Sequence, residues 1–246
     1  MIQDIATFYR NPYACFQVGD RESIKERMVA LRKTYFFSLY AAVMIILIIV
    51  IVDGVLKNTL NISIYENLHK LRDEFRKANS PVDSFLKVCL IGPFVEESIF
   101  RLPLLTRSLL SRCTIFFVFI LYFFSELFHL EISFWLYNSI LVLIFGGIIV
   151  FNRSSAKIST PILGAKNYNY LCWGLTVAFA LLHIANFIPL NGTVFYLYPI
   201  YVLPQFVYGI IFSYLAIRYN SIVWSFLLHA AINSTSEVHK LLTDVF

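Results

Sequence analysis

The sequence predicts an all-α protein: a polytopic transmembrane helical bundle of about seven spans with a central polar cavity. Of its 246 residues 59% are hydrophobic and 14% are charged, and the mean hydropathy is +0.71. These values are too apolar for a soluble domain of this length. Residues 167–217 contain no Asp, Glu, Lys or Arg, and since about 20 apolar residues cross a bilayer as a helix, this stretch holds two spans.

The N-terminal part, residues 1–34, is predicted to be a cytoplasmic basic segment, and residues 35–246 a single transmembrane helical domain. Basic residues precede the first apolar run, which by the positive-inside rule favours a cytoplasmic N-terminus; they are Arg21, Lys25, Arg27, Arg32 and Lys33. The first ten residues are polar and the first apolar run begins at Tyr35, so no secretory signal peptide is expected.

Apolar segments predict the spans in chain order, although the third and the last are short for a full crossing. The predicted spans are 35–52, 81–105, 113–125, 132–151, 170–190, 194–217 and 221–233. Between the first two, apolar residues recur at spacings of four, three and four, which predicts an amphipathic helix. These residues are Ile64, Leu68, Leu71 and Phe75.

The charges between the spans predict the topology and the partners. With the N-terminus inside, six basic residues fall on the cytoplasmic side: Arg107, Arg112, Arg153, Lys157, Lys166 and Arg218. Glu126 and Glu131 then fall outside, whereas the basic residues between Lys57 and Lys77 disagree with this topology. Because the basic groups lie next to apolar runs, they indicate contact with membrane lipid, and no nucleic-acid partner is expected.

A few ionisable residues interrupt the apolar segments. Glu97 and Arg101 are four residues apart and share a helix face, so they are expected to form a supporting ion pair. Glu96 points about 100° away around the same helix. His183 and His229 lie in later segments. Buried ionisable groups in a membrane are costly unless they are paired or used, so these residues are either packing groups or a functional site.

The chemistry open to such a set is hydrolysis of an amide within the membrane. A carboxylate assisted by an imidazole removes a proton from water, while other donors receive the developing oxyanion. A serine or cysteine nucleophile is not favoured, because no Gly-x-Ser-x-Gly occurs and no cysteine stands in a motif with histidine. No cofactor is expected. Zinc held by Glu96, His183 and His229 is the alternative, although the His-Glu-x-x-His pattern is absent.

Three motifs resemble those of the CAAX prenyl protease and bacteriocin-processing (Abi) family of intramembrane endopeptidases. Residues 96–101, Glu-Glu-Ser-Ile-Phe-Arg, are similar to its EExxxR motif. Residues 179–183 match its FxxxH motif, and residues 229–233 match its HxxxN motif, in the family's order. The run from Gln205 to Gly209 is also similar, and the resemblance covers roughly residues 85–233.

The resemblance implies a cavity open to the cytoplasmic side, in which Glu96 activates water with help from His183. It assigns His229 and Asn233 to the oxyanion hole and gives Glu97 and Arg101 a supporting role. The implied substrate is a peptide or protein, either lipidated or carrying a leader peptide.

Leu102 and Pro103 depart from the family pattern by replacing the glycine that commonly follows the motif arginine. Pro103 is expected to kink or end the helix. The competing functional class is non-enzymatic: a membrane immunity or scaffold protein, or a proton-coupled transporter that uses the same carboxylates and imidazoles as relays.

Overall fold

The first half of the chain folds into helices of very different lengths. The computed structural model describes residues 2–15, 22–106, 108–123, 133–154 and 163–243, and within these ranges it contains helices and no strand. The helices of this half are α1 (Ile2–Arg10), a 3-10 turn (Pro12–Cys15), α2 (Ile24–Leu60), α3 (Ile64–Ala78), α4 (Pro81–Phe85), a π-helical segment (Leu86–Ile91), α5 (Gly92–Phe100), α6 (Leu102–Leu105) and α7 (Leu109–Phe123). Ser125, Glu126 and Glu131 lie outside the described residues.

The second half is built from longer helices joined by 3-10 segments. They are α8 (Phe134–Ser154), α9 (Ala165–Leu182), 3-10 segments at His183–Phe187 and Gly192–Leu197, α10 (Tyr198–Tyr201), α11 (Leu203–Arg218) and α12 (Ile222–Thr243). The last predicted span, 221–233, lies in α12, a helix of 22 residues that continues past Asn233.

Among the described residues, four helical stretches are long and apolar enough to cross a membrane: Ile24–Leu60, Phe134–Phe151, Ala165–Phe187 and Gly192–Arg218. Leu109–Tyr122 is a shorter apolar helix. The prediction of an all-α membrane bundle is therefore confirmed, and the chain is an integral membrane protein. The span count of about seven stays a prediction.

The first span begins earlier and ends later than the sequence predicted. Helix α2 starts at a capping box, in which the Ser23 side chain accepts from the backbone N–H of Glu26 and the Glu26 side chain accepts from that of Ser23. This box satisfies N–H groups at the helix start, so the helix includes the basic flank. It ends at Leu60, and the following residue, Asn61, caps it with a φ of 55° in the left-handed region.

The predicted span 81–105 forms one helical run from Pro81 to Phe100, with a π-helical segment inside it, followed by the short α6. Pro93 lies in the first turn of α5 and Pro103 in the first turn of α6, where a missing backbone N–H is tolerated. The helix that carries the two motif glutamates ends at Phe100, which confirms the expectation for Pro103. The break leaves Arg101 fully buried between α5 and α6.

Contacts around Arg218 define one end of the bundle, which we call the basic end. The Arg218 guanidinium pairs with Glu22 and, at 3.1 Å, with Asp4. This joins the start of α2, helix α1 and the end of α11. Tyr13 and Tyr168 pack edge to face and bring the start of α9 to the same end.

The basic end is rich in cations. Eight described basic residues lie there: Arg10, Lys25, Arg27, Arg32, Lys33, Arg112, Lys166 and Arg218. They are accompanied by three acidic residues, Asp4, Glu22 and Glu26.

The opposite end is organised by α3, and we call it the α3 end. Asp53 near the end of α2 accepts hydrogen bonds from the backbone N–H groups of Ile64 and Tyr65 at 2.9 and 3.1 Å. It also accepts from Ser63 Oγ at 2.6 Å and from Tyr201 Oη at 2.8 Å. The predicted amphipathic helix is thus confirmed as α3, and Asp53 holds its first turn against α2.

Helix α3 is also tied to the later helices. Asn67 Nδ2 donates to the Pro189 carbonyl at 3.1 Å, and Arg76 lies 3.9 Å from Glu237 on α12. The described charges at this end balance: six basic residues (Lys57, Lys70, Arg72, Arg76, Lys77 and Lys87) and six acidic ones (Asp53, Glu66, Asp73, Glu74, Asp83 and Glu237). The motif helices run between the two ends and hold their polar side chains inside the bundle.

Candidate functional site

Two histidines from different helices face one carboxylate. The Nε2 atoms of His183 and His229 each lie 3.9 Å from Oε2 of Glu96. The Glu96 and His183 side chains are 25% and 21% exposed, and that of His229 is 7% exposed. Oε2 of Glu96 is buried and has no hydrogen-bond partner among the described residues. A gap of 3.9 Å is too long for a direct hydrogen bond but within reach through one bridging water.

Phe179 orients the imidazole of His183. Its backbone carbonyl lies 2.7 Å from Nδ1 of His183 one turn later, where α9 ends. Because a carbonyl only accepts, Nδ1 must donate. In the neutral ring the lone pair is therefore on Nε2, the atom that faces Glu96.

Glu97 joins His229 to the ion pair that the sequence predicted. Its Oε1 accepts from Nδ1 of His229 at 3.0 Å, and its Oε2 lies 3.5 Å from Nε of Arg101. The side chains of Glu97 and Arg101 are fully buried. The sequence predicted the Arg101 contact from helical spacing but missed the His229 contact, because His229 is 132 residues away along the chain.

Aromatic rings enclose the guanidinium of Arg101. Its Cζ lies 4.3 Å from the ring centroid of Phe179 and 5.5 Å from that of Phe212. A ring face attracts a cation, more so where water is excluded. Phe212 also stacks on His229, with centroids 4.6 Å apart and an interplanar angle of 22°. Phe212 stands in no motif, so the sequence carries no signal for its part in the site.

Gly209 permits the close approach of α11 to this cluster. Its carbonyl accepts from Nη2 of Arg101 at 3.3 Å. A Cβ at this position would lie 3.2 Å from the side chains of both Phe179 and Thr176. The run from Gln205 to Gly209 was part of the resemblance, but its connection to Arg101 is visible only in the fold.

Asn233 lies one turn beyond His229 on α12. Its Nδ2 donates to the backbone carbonyl of Val88, in the π-helical segment, at 2.9 Å. This bond uses one of the two N–H groups of the amide, and the second remains for another acceptor. Glu96 faces His183 and His229 across 3.9 Å. The bond described for the Asn233 side chain is the one to Val88, and Asn233 is related to the three residues as a neighbour of His229 on α12.

The donor atoms of this site can be compared with those of a zinc centre. Zinc ligands lie at about 2.0–2.2 Å from the ion, and the two imidazole Nε2 atoms and the Glu96 carboxylate face one another. The Nδ1 contacts to Glu97 and to the Phe179 carbonyl are of the kind that zinc-bound histidines make. Among the described residues, no group of three or more His, Cys, Asp or Glu side chains has the arrangement of a metal site.

The fold and site together define an integral membrane protein whose helices bury a carboxylate–imidazole cluster. Residues 160–235 match the family model Rce1-like, which is described as type II CAAX prenyl endopeptidase Rce1-like. This match confirms the family resemblance. It supports, at family level, a CAAX-type intramembrane endopeptidase, a peptide hydrolase that acts on a peptide or protein in the membrane.

The matched region holds both histidine motifs, and the EExxxR motif lies outside it. The fold nevertheless brings Glu96 and Glu97 against His183 and His229. The glutamate motif is thus linked to the matched region by spatial contact. The searches of curated proteins and of solved structures gave no match.

Proposed function

We propose that the protein is an intramembrane endopeptidase in which Glu96 activates the water that attacks a peptide carbonyl. One observation carries this proposal: Oε2 of Glu96 lies 3.9 Å from Nε2 of both His183 and His229. A general base must reach the proton it takes directly or through one water. This geometry leaves room for such a water beside an imidazole acceptor.

In the proposed reaction Glu96 takes a proton from water, and the oxygen of that water forms a bond to the carbonyl carbon. The carbonyl π electrons move to its oxygen, which becomes the oxyanion. When the oxyanion collapses, the C–N bond breaks and the amine leaves with the proton carried by Glu96. His183 Nε2, whose tautomer is set by the Phe179 carbonyl, orients the water.

His229 and Asn233 are proposed to receive the oxyanion. Nδ1 of His229 already donates to Glu97, so Nε2 donates only when the ring is an imidazolium. Oε1 of the Glu97 carboxylate lies against that ring, and Oε2 faces Arg101. The second N–H of the Asn233 amide supplies another donor.

Replacing Glu96 with Gln tests the general base. Gln has nearly the shape of Glu and cannot accept the proton, so Glu96→Gln is expected to abolish cleavage of a reporter peptide by the purified protein while thermal unfolding is unchanged. Glu66→Gln on α3 is the matched control, because it removes an exposed carboxylate that pairs with Lys57. Full activity in Glu96→Gln would refute the proposed role. If cells carrying Glu96→Gln kept a transport or immunity activity of this protein, the non-enzymatic class would be favoured instead.

The metal content of the purified protein distinguishes a zinc-dependent enzyme from one that uses a glutamate-activated water. If His183, His229 and Glu96 held zinc, purified protein would contain about one zinc per chain, and a strong chelator would silence it reversibly. Either histidine replaced by Ala would release the metal. Metal-free activity that depends on Glu96 would support the glutamate-activated water, and zinc-dependent activity would overturn it.

A further inference from the structure

Gln205 on α11 carries a polar atom that the proposed reaction does not use. Its side-chain Oε1 is buried and has no hydrogen-bond partner among the described residues, while the residue as a whole is only half-buried. A buried polar group without a partner destabilises the fold, so native structures keep few of them. The Gln205 amide is therefore a candidate for binding a ligand.

Contacts one turn to either side of Gln205 join this part of the chain to the end of α9. Helices α9 and α11 run in opposite directions, since α9 begins and α11 ends at the basic end. One turn after Gln205, Gly209 approaches Phe179 so closely that an added Cβ would lie 3.2 Å from its ring. One turn before Gln205, Tyr201 packs edge to face on Phe187, with ring centroids 5.7 Å apart. Gln205 therefore lies alongside the last turn of α9 and the 3-10 segment that follows it.

His183 is the residue opposite Gln205. It stands four residues from each of the two contacts on its own side, as Gln205 does on α11. Gln205 also shares a helix face with Phe212, two turns later, whose ring stacks on His229. The Gln205 side chain is thus on the face of α11 that is turned toward the two histidines of Glu96.

An amide side chain is suited to bind the backbone of a peptide. Glutamine offers a carbonyl oxygen and an NH₂ group, which match the N–H and the carbonyl of a peptide group. A peptide N–H would supply the donor that Oε1 of Gln205 lacks. We infer that Gln205 binds the substrate through a peptide group next to the bond that is cleaved. This inference rests on the proposed endopeptidase function and adds to it a residue that recognises the peptide backbone.

This role predicts opposite effects of one substitution on stability and on substrate binding. Gln205→Met keeps an unbranched, flexible side chain and removes both polar atoms. The midpoint of thermal unfolding is expected to rise by about 2–4 °C, because a buried oxygen without a partner is removed. KM is expected to rise about 10-fold with little change in kcat, since a bond made equally to substrate and transition state affects only binding. A packing role would instead lower the midpoint and leave KM unchanged.

Kinetics with backbone-modified peptides test the contact itself. The probe is a fluorophore-quenched decapeptide, chosen from a random-sequence pool because the purified unmodified protein cleaves it and Glu96→Gln does not. Each of its peptide bonds is N-methylated in turn, which removes one N–H. At one position beside the cleaved bond, methylation is expected to raise KM about 10-fold for the unmodified protein and to have no effect on Gln205→Met. Asn186→Met, which removes an exposed amide close to His183, is the matched control and should respond as the unmodified protein does.

The two possible failures give different results. If cleavage depends on Glu96, but Gln205→Met and a second apolar variant, Gln205→Leu, keep the KM and the methylation response of the unmodified protein, the role of Gln205 is overturned and the endopeptidase function stands. If no peptide in the pool is cleaved in a Glu96-dependent way, the proposed function fails and the role of Gln205 fails with it.

Discussion

Nδ1 of His229 donates to Oε1 of Glu97 at 3.0 Å, so the second motif glutamate and the last motif histidine act as one buried unit. Glu97 also carries the ion pair with Arg101, and no atom of either ionic side chain is exposed. The two adjacent glutamates therefore have different surroundings. Glu97 is enclosed by charged partners, and Glu96 faces the accessible part of the site with an unpartnered oxygen.

Breaking the buried ion pair is expected to cost both stability and activity. Arg101→Ala leaves Glu97 buried beside an empty space, and loss of one partner of a buried pair costs about 3–5 kcal/mol. Thermal unfolding in detergent measures the first effect and reporter cleavage the second. Lys57→Ala is the matched control, because its partner Glu66 is exposed and an exposed ion pair contributes little to stability. Equal unfolding of the two variants would contradict a buried pair.

Adding one methyl group at Gly209 is expected to disturb the aromatic enclosure. The new Cβ would lie 3.2 Å from Phe179 and Thr176, and overpacking of this kind costs about 1–3 kcal/mol. Because Phe179 positions His183, turnover should fall as well. Gly174→Ala on α9 is the control: nothing lies within 4 Å of its added Cβ, so it should be neutral or stabilising by about 0.5–1 kcal/mol. If Gly209→Ala changed neither stability nor turnover, α11 would be free to shift.

Removing the Asn233 amide tests whether Asn233 is a catalytic donor or a packing residue. As a donor to the oxyanion, Asn233→Ala should lower turnover about 10²–10³-fold with little change in KM. Loss of the bond to the Val88 carbonyl alone would reduce stability by about 1 kcal/mol and leave turnover intact. Steady-state kinetics beside thermal unfolding separates these results. Asn186→Ala, an exposed amide close to His183, serves as control.

Asp53 is predicted to hold α3 in place. Asp53→Ala leaves the backbone N–H groups of Ile64 and Tyr65 without their acceptor, and each buried unsatisfied group costs about 1–3 kcal/mol. The expected results are lower stability and faster limited proteolysis within residues 57–80. Asp73→Ala, on the exposed surface of α3, should stay within about 0.5 kcal/mol of the unmodified protein. Equal proteolysis of both variants would count against this role.

The sequence by itself determined the class of fold, the helix that became α3 and the pairing of Glu97 with Arg101. The fold class follows from composition. The helix and the ion pair follow from helical periodicity and a spacing of four residues, which act over one or two turns. The break after Phe100 was also predictable, because Pro103 acts on its own helix. The length of α12 was not, because contacts with other elements stabilise the part beyond Asn233, as Arg76 on α3 contacts Glu237 and Tyr35 on α2 bonds Thr235.

Only the tertiary structure decided which partners the motif residues have. His229 contacts Glu97, Phe212 stacks on His229, and Gly209 accepts from Arg101. Each of these contacts joins residues on different helices, and no local spacing encodes such a contact.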